Sequence, residues 1–156
     1  MKTFFMTTVC GTLLVTSAGW AHTKPAAGDL KAIQTCLERQ EKGLGRACIG
    51  VVADPCIAAS NGNVGKAKAC AARELAVWER EMQTALKRVS AGGFKEITEA
   101  VTQAQKSWQS SLRRLCAVFD KTDPGMLPGA AVYCHMHETA ARALMLRRLG
   151  ETVSEH

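Results

Sequence analysis

The chain has 156 residues, of which 7 are cysteine, and its 20 Lys and Arg against 14 Asp and Glu give a formal net charge of +6. This length suits one domain with its own hydrophobic core. Aromatic residues make up only 5% of the chain, too few for a platform on which bases stack, so we expect no nucleic-acid partner. The charge excess favours anionic surfaces such as phospholipid, lipopolysaccharide or cell-wall polymers, or else a basic surface without a specific partner.

The N-terminus has the pattern of an export signal. Lys2 precedes an apolar stretch from Phe4 to Val15, and Gly19-Trp20-Ala21 fits a small-residue cleavage site. The stretch is shorter than the ~20 residues of a membrane-spanning helix, so we expect cleavage, no stable membrane insertion and a periplasmic or secreted location in a bacterium. The predicted division is a signal peptide over 1–21, a flexible leader over 22–28, a single disulfide-bonded helical domain over 29–150 and a tail over 151–156.

Helical periodicity dominates the rest of the chain, and no segment alternates with period two. We predict a short helix from Asp29 to about Lys42, an irregular segment from Cys48 to Gly65, and then two long antiparallel helices. Gly92 and Gly93 separate the long helices, and a last helix runs from about Ala130 to Leu149, with Gly150 just past its end. The fold class is therefore all-α, a small antiparallel bundle of about four helices stapled by three disulfides.

Apolar residues on the long helices predict which faces are buried. Trp78 and Trp108 lie on these faces, and we expect both to fill the core. Glu74 and Arg142 also lie near apolar faces and are expected to form a bridge between helices. The inward stripe of the second long helix is predicted to consist of Phe94, Ile97, Val101, Ala104, Trp108, Leu112, Leu115 and Phe119.

Six cysteines remain once Cys10 is removed with the signal peptide, an even set that is typical of a disulfide framework in an exported protein. We expect Cys116–Cys134, because a helix, a loop and a returning helix bring these positions together. Among the other four we favour Cys36–Cys48 and Cys56–Cys70, since each joins a helix to the adjoining irregular segment. The alternative of Cys36–Cys70 with Cys48–Cys56 stays open.

The sequence offers little support for catalysis. His135 and His137 would lie about 200° apart on a helix and cannot share a metal ion. His137-Glu138 begins like a zinc-protease motif, but Ala141 stands where the second histidine is needed. A hydrolase using Glu74 or Glu138 is the weakest alternative. We therefore predict a protein that is not an enzyme, with no catalytic residues, no cofactor and no bound metal.

The order of residues from Cys70 onward resembles a known family. The pattern comprises Cys70-x-x-x-Glu74-Leu75-x-x-Trp78, Leu86, Ala104-Gln105-x-x-Trp108, Cys116, Cys134 and Glu138-Thr139-Ala140-Ala141-Arg142-Ala143-x-x-Leu146. It is similar, over about 48–149, to the LprI-type lysozyme-inhibitor N-terminal domain family. One departure is that Leu112 and Arg113 stand where the family usually has an Arg-Asp pair.

The resemblance implies an exported, non-catalytic binding protein whose partner is lysozyme, another wall hydrolase or another envelope protein. Common lysozymes are basic and would be repelled by a basic chain, so a local acidic patch is required. We place that binding surface at Glu79 and Glu81. The alternative function is an envelope interaction or structural protein that binds anionic cell-surface polymers through its basic surface.

Overall fold

The computed structural model describes residues 24–40, 45–121 and 129–155, so the predicted signal peptide lies outside the described residues. Within these ranges the chain forms α-helices and short 3-10 turns and no strands, which confirms the all-α prediction. The predicted irregular segment is partly helical, since it contains a 3-10 turn and a six-residue helix. The helices are α1 Ala27–Arg39, α2 Ala53–Ala58, α3 Val64–Ala91, α4 Lys95–Cys116 and α5 Ala130–Ser154, with 3-10 turns at Arg46–Cys48 and Ala117–Lys121.

The three long helices run up, down and up. The start of α3 lies beside the start of α5, because a Cβ on Gly129 would be 3.0 Å from the backbone nitrogen of Lys68. Their ends also meet, since Gly92 lies against Val153. Helices α3 and α5 are therefore parallel, and α4 runs antiparallel to both. The core lies mainly between α3, α5 and α1, with Trp78, Ile33, Met136 and Leu146 at most 2% exposed.

Helix α5 continues beyond the predicted end at Leu149 and extends to Ser154. Gly150 is buried inside the helix, and a Cβ there would be 3.2 Å from both Cγ and Cδ of Arg88. The glycine therefore allows α3 and α5 to approach closely and does not end the helix. The prediction of Gly150 as a terminating residue was wrong, because a glycine in the sequence looks the same in both roles.

The buried face of α4 differs from the predicted stripe. Phe94 is 41% exposed and Leu115 is 52% exposed, whereas Gln105 and Cys116 are buried. The observed face uses the three- and four-residue spacing of a helix, but its register is moved by one residue from the predicted stripe at two positions. Its buried and half-buried members are Ile97, Thr98, Val101, Gln105, Trp108, Leu112 and Cys116, and the half-buried Phe119 follows in the 3-10 turn after α4.

Three disulfides hold the bundle, in the pairing that the sequence favoured. Cys36–Cys48 ties α1 to the first 3-10 turn, and Cys56–Cys70 ties α2 to α3. Cys116–Cys134 ties the end of α4 to the first turns of α5. The two N-terminal bonds therefore fasten the segment of least regular structure onto helices of the core.

Candidate functional site

The carboxylate of Glu74 is the most heavily bonded group in the interior. Its side chain is 0% exposed and accepts hydrogen bonds from the backbone N–H groups of Gly50 at 2.7 Å, Val52 at 2.9 Å and Ala53 at 2.7 Å. The indole Nε1 of Trp78, one turn further along α3, donates a fourth bond at 2.8 Å. The carboxylate thus satisfies N–H groups at the start of α2 that have no partner within that helix.

Two further polar contacts hold the N-terminal part of the domain. Arg73 donates to both carboxylate oxygens of Asp29, at 2.6 Å and 3.0 Å, and this bond to Asp29 raises the pKa of the guanidinium. The Tyr133 hydroxyl donates to Asp54 Oδ1 at 3.0 Å. Burial, followed by the bond to Asp54, raises the pKa of Tyr133. These contacts join α1 to α3 and α2 to α5, so they hold the N-terminal part of the domain against the long helices. Each of these four side chains is occupied by its partner.

The predicted bridge between Glu74 and Arg142 is wrong. Glu74 is saturated by the N–H donors just described, whereas Arg142 Nε donates to Gln105 Oε1 at 3.0 Å. The Arg142 guanidinium also lies over the Trp108 ring, 5.8 Å from its centroid. Gln105 in turn directs its amide nitrogen to the Met82 sulfur at 3.3 Å. Sequence reasoning missed this polar junction of α3, α4 and α5 because Gln105 lies off the apolar stripe.

The predicted core role holds in full for Trp78 and in part for Trp108, which packs against the core from its margin. Trp78 is 0% exposed, as expected of a core residue. Trp108 is only half-buried and lies at the surface between α3 and α4, beside Gln109. A partly exposed Trp presents an apolar ring to solvent, which is a feature of binding surfaces as well as of core margins.

In the part of the chain that the structure describes, we consider two surface regions with the concave shape of a binding site. The first, which we call the α1/α3/α5 cleft, has a volume of about 360 Å³ and Trp78 at its base. Its charged residues are Glu38, Glu81, Arg88 and Arg147. Gln34 Nε2 donates to Glu81 Oε1 at 3.3 Å, and Arg147 Nε donates to Glu151 Oε1 at 3.0 Å.

The second region is the α3/α4 groove, formed by two adjoining clefts that share Gln83. The cleft towards Thr98 has a volume of about 390 Å³ and the cleft towards Arg113 about 290 Å³. Arg113 and the buried Leu112 stand where the family usually has Arg and Asp. These two positions therefore lie at the α3/α4 groove.

The two glutamates chosen from the sequence lie in different regions. Glu81 lines the α1/α3/α5 cleft, and Glu79 lines the α3/α4 groove near His135. Residues two apart on a helix point to different faces, which explains the separation. The structure instead brings Glu81 together with Glu38, a residue on α1 that no motif in the sequence singles out.

The two histidines on α5 also diverge. His135 is half-buried in the α3/α4 groove, and desolvation lowers the pKa of its imidazole, against the opposing effects of Asp120 and Glu79. His137 is exposed and lies 3.7 Å from Glu138 Oε1. Among the described residues, no three His, Cys, Asp or Glu side chains are grouped so as to hold a metal ion.

Over the same part of the chain, none of the helices combines the length and hydrophobicity needed to cross a membrane. The described residues thus define a small disulfide-stapled α-helical domain whose surface includes the α1/α3/α5 cleft and the α3/α4 groove. A family model described as "Lysozyme inhibitor LprI" matches residues 56–146. The chain belongs to the LprI lysozyme inhibitor family. Searches of curated proteins and of solved structures each found no match.

The family pattern has a structural explanation in this fold. Cys70 forms a disulfide with Cys56, Glu74 binds the start of α2, and Trp78 donates to Glu74 from within the core. Cys116 and Cys134 join α4 to α5. These residues therefore specify how the domain is built, and residues outside the pattern line much of the two clefts.

Proposed function

We propose that this protein is an exported, non-catalytic binding domain that inhibits lysozyme or a related wall hydrolase. The observation that carries the proposal is membership of the LprI family over 56–146. The export signal at residues 1–21 and the six cysteines of a disulfide framework support a periplasmic or secreted location. The three disulfides in the fold are consistent with folding in an oxidising compartment.

The chemistry of the candidate acids supports a binding role. Glu74 is fully buried and engaged by four N–H donors, so it has no access to a substrate. Glu138 is 42% exposed and lies beside His137 at the surface, outside the linings of both clefts. The six cysteines of the domain are in disulfides and offer no thiolate nucleophile.

The α1/α3/α5 cleft is the surface best suited to a basic enzyme. Glu38 and Glu81 place two carboxylates at one opening, although the chain as a whole is basic. Arg147 in the same cleft is paired with Glu151, which offsets its charge and leaves Arg88 as the other cation that lines the cleft. The local excess of one carboxylate favours approach of a basic partner at short range, even when long-range repulsion opposes it.

The test is lysis of wall substrate by several lysozymes, with and without the purified, oxidised protein. We expect inhibition at a molar excess of the protein. The double variant Glu38→Lys with Glu81→Lys should raise the concentration needed for half-inhibition by roughly tenfold, because like charges would then face the enzyme. Absence of inhibition of every lysozyme tested, at any molar excess, would overturn the proposal.

A matched control separates the cleft from overall charge. The double variant Glu96→Lys with Glu155→Lys changes the net charge equally, and both residues are exposed outside the cleft. It should inhibit lysis as well as the unmodified protein. Equal loss in both double variants would show that overall charge matters and that the cleft does not bind the enzyme.

The second candidate function is attachment to anionic envelope polymers. The observation that favours it is the distribution of charge: Glu74 and Asp29 are buried, which leaves the exposed surface more basic than the composition indicates. Co-sedimentation with isolated wall material at low and high salt tests it. Retention should fall steeply as salt rises, and retention that is absent or insensitive to salt would contradict this function.

A further inference from the structure

The α3/α4 groove is long. Its lining on α4 extends from Thr98 to Arg113, and its lining on α3 extends in the opposite direction from Ser90 to Leu75. At the helical rise of 1.5 Å per residue, the α4 side is roughly 22 Å long, enough for several units of a linear polymer. A globular ligand or a single metabolite would leave most of this length empty.

The groove combines an apolar floor with neutral hydrogen-bonding groups. The exposed amides of Gln83 and Gln109 each present donors and an acceptor, and the hydroxyls of Thr98 and Thr102 lie further along it. The Thr102 hydroxyl donates to the Thr98 carbonyl at 2.7 Å and so keeps its lone pairs for an incoming donor. These amides and hydroxyls match a ligand that has hydroxyl groups along its edges.

Trp108 supplies the apolar element beside these amides. Its half-buried ring lines the groove and packs against the core, and the Arg142 guanidinium lies over the ring, 5.8 Å from its centroid. The ring is therefore preorganised at a surface where polar side chains surround it. A sugar unit has an apolar C–H face and a polar edge of hydroxyls, and this combination of Trp with amides complements both.

The charges along the groove are mostly positive. Lys87, Lys106 and Arg113 line it, against the single carboxylate of Glu79 among the described residues. This balance favours an anionic ligand over a neutral or cationic one.

We propose that the α3/α4 groove binds an acidic oligosaccharide chain, with Trp108 contacting a sugar face and the cations meeting its carboxylates or phosphates. This inference rests on the second candidate function, attachment to anionic envelope polymers, and assigns it a site and a ligand class. Wall glycan strands and the core oligosaccharide of lipopolysaccharide both have the required chemistry. The groove is separate from the α1/α3/α5 cleft assigned to lysozyme, since no residue in the described part of the chain lines both.

The test is calorimetric titration of the oxidised protein with three probes of similar length. Octagalacturonate is an acidic sugar chain, chitooctaose is a neutral one, and octaglutamate is an anion without sugar rings. We expect octagalacturonate to bind at least tenfold more tightly than either of the others. Equal binding of chitooctaose would overturn the acidic class, and equal binding of octaglutamate would show that the groove recognises charge alone.

Two double variants, each with a control, test whether the ligand binds in the groove. Gln83→Ala with Gln109→Ala should weaken octagalacturonate binding roughly tenfold, because two hydrogen bonds are lost at exposed positions that the fold does not need. Gln103→Ala, an exposed amide on α4 outside the groove, is the control and should bind normally. Lys87→Ala with Lys106→Ala should weaken binding more than Lys66→Ala with Lys121→Ala, which removes two exposed lysines elsewhere.

The outcomes distinguish failure of the groove as the binding site from failure of the proposed attachment to envelope polymers. If the protein sediments with wall material while the glutamine and lysine variants bind like their controls, the groove is the wrong site although polymer attachment stands. If neither octagalacturonate nor wall material binds, both are wrong. Titration with peptide-free wall glycan strands and with lipopolysaccharide core oligosaccharide identifies the source, and binding of neither would also overturn the proposal.

Discussion

The Glu74 carboxylate and the Trp78 indole, one turn apart on α3, are joined by a hydrogen bond of 2.8 Å inside the core. The same carboxylate accepts the N–H groups of Gly50, Val52 and Ala53. A charge in this position is stabilised only because four donors surround it. One side chain therefore links the main helix, the core tryptophan and the disulfide-bonded N-terminal segment.

Glu74→Gln tests this link. The amide keeps the shape but replaces one acceptor oxygen with an NH2 group that opposes a backbone N–H, so we expect a loss of about 3 kcal/mol in the free energy of unfolding. Urea denaturation under oxidising conditions measures it. Glu99→Gln is the control, since its side chain is 68% exposed and should change stability by less than ~0.5 kcal/mol. Similar values for both variants would contradict the structural role of Glu74.

The Cys56–Cys70 disulfide and Glu74 hold the same segment, so their effects should be coupled. The bond closes a loop with a sequence separation of 14, and its removal by Cys56→Ser with Cys70→Ser should cost about 3 kcal/mol. Combining this pair with Glu74→Gln should cost less than the sum, because a segment released by one change has less left to lose. A double-mutant cycle by urea denaturation measures the coupling, and strict additivity would argue against a shared role.

Gly129 is required for two separable reasons. Its φ is +74°, and a Cβ there would be 3.0 Å from the Lys68 nitrogen and 3.2 Å from the Ala67 carbonyl carbon. Gly62 has a similar φ of +77°, but a Cβ on it would have no atom within 4 Å, so Gly62→Ala reports backbone strain alone. In both alanine variants, that strain should lower the free energy of unfolding by about 1–2 kcal/mol. Gly129→Ala should lower stability further, as measured by thermal denaturation, because its Cβ also meets the backbone of α3. Equal losses of stability in the two variants would show that α3 and α5 can separate freely there.

The His135 environment predicts how stability depends on pH. Desolvation lowers the pKa of the folded imidazole below its ordinary value, so below about pH 6.5 the unfolded chain takes up the proton first. The contribution of His135 to stability is therefore complete above that pH and is lost as the pH falls towards the folded pKa. His135→Gln should reduce the fall in unfolding free energy between pH 7 and pH 5, measured by urea denaturation. An unchanged fall would contradict this assignment.

The sequence predicted the helices better than their contacts. The apolar spacing located α3, α4 and α5, and chain order was sufficient to favour the pairing of all six cysteines that the structure shows. On α4, however, the hydrophobic pattern chose Leu115, which is 52% exposed, in place of Cys116. The disulfide to Cys134 turns Cys116 inward, and the contacts with Arg142 and Met82 do the same for Gln105. The hydrophobicity of the sequence alone predicts neither of these inward orientations.

The binding surface was less accessible from sequence. Glu79 and Glu81 are close in the chain but line different regions, whereas Glu38 and Glu81 come together only when α1 packs against α3. Trp108 was expected in the core on the same grounds as Trp78, and its position at the groove depends on how α4 sits against its neighbours. The sequence therefore indicated which charged and polar residues the surface contains, but not which of them line the same cleft.

By itself the sequence determined the all-α class, the disulfide framework and the LprI family, because helical periodicity, cysteine count and motif spacing are local properties of the chain. Only the tertiary structure decided that Glu74 binds backbone N–H groups, that Gly150 allows two helices to touch, and that the α1/α3/α5 cleft and the α3/α4 groove are separate. These features depend on which residues from distant segments come within hydrogen-bonding or van der Waals distance. The packing of the whole domain determines which of these residues come together.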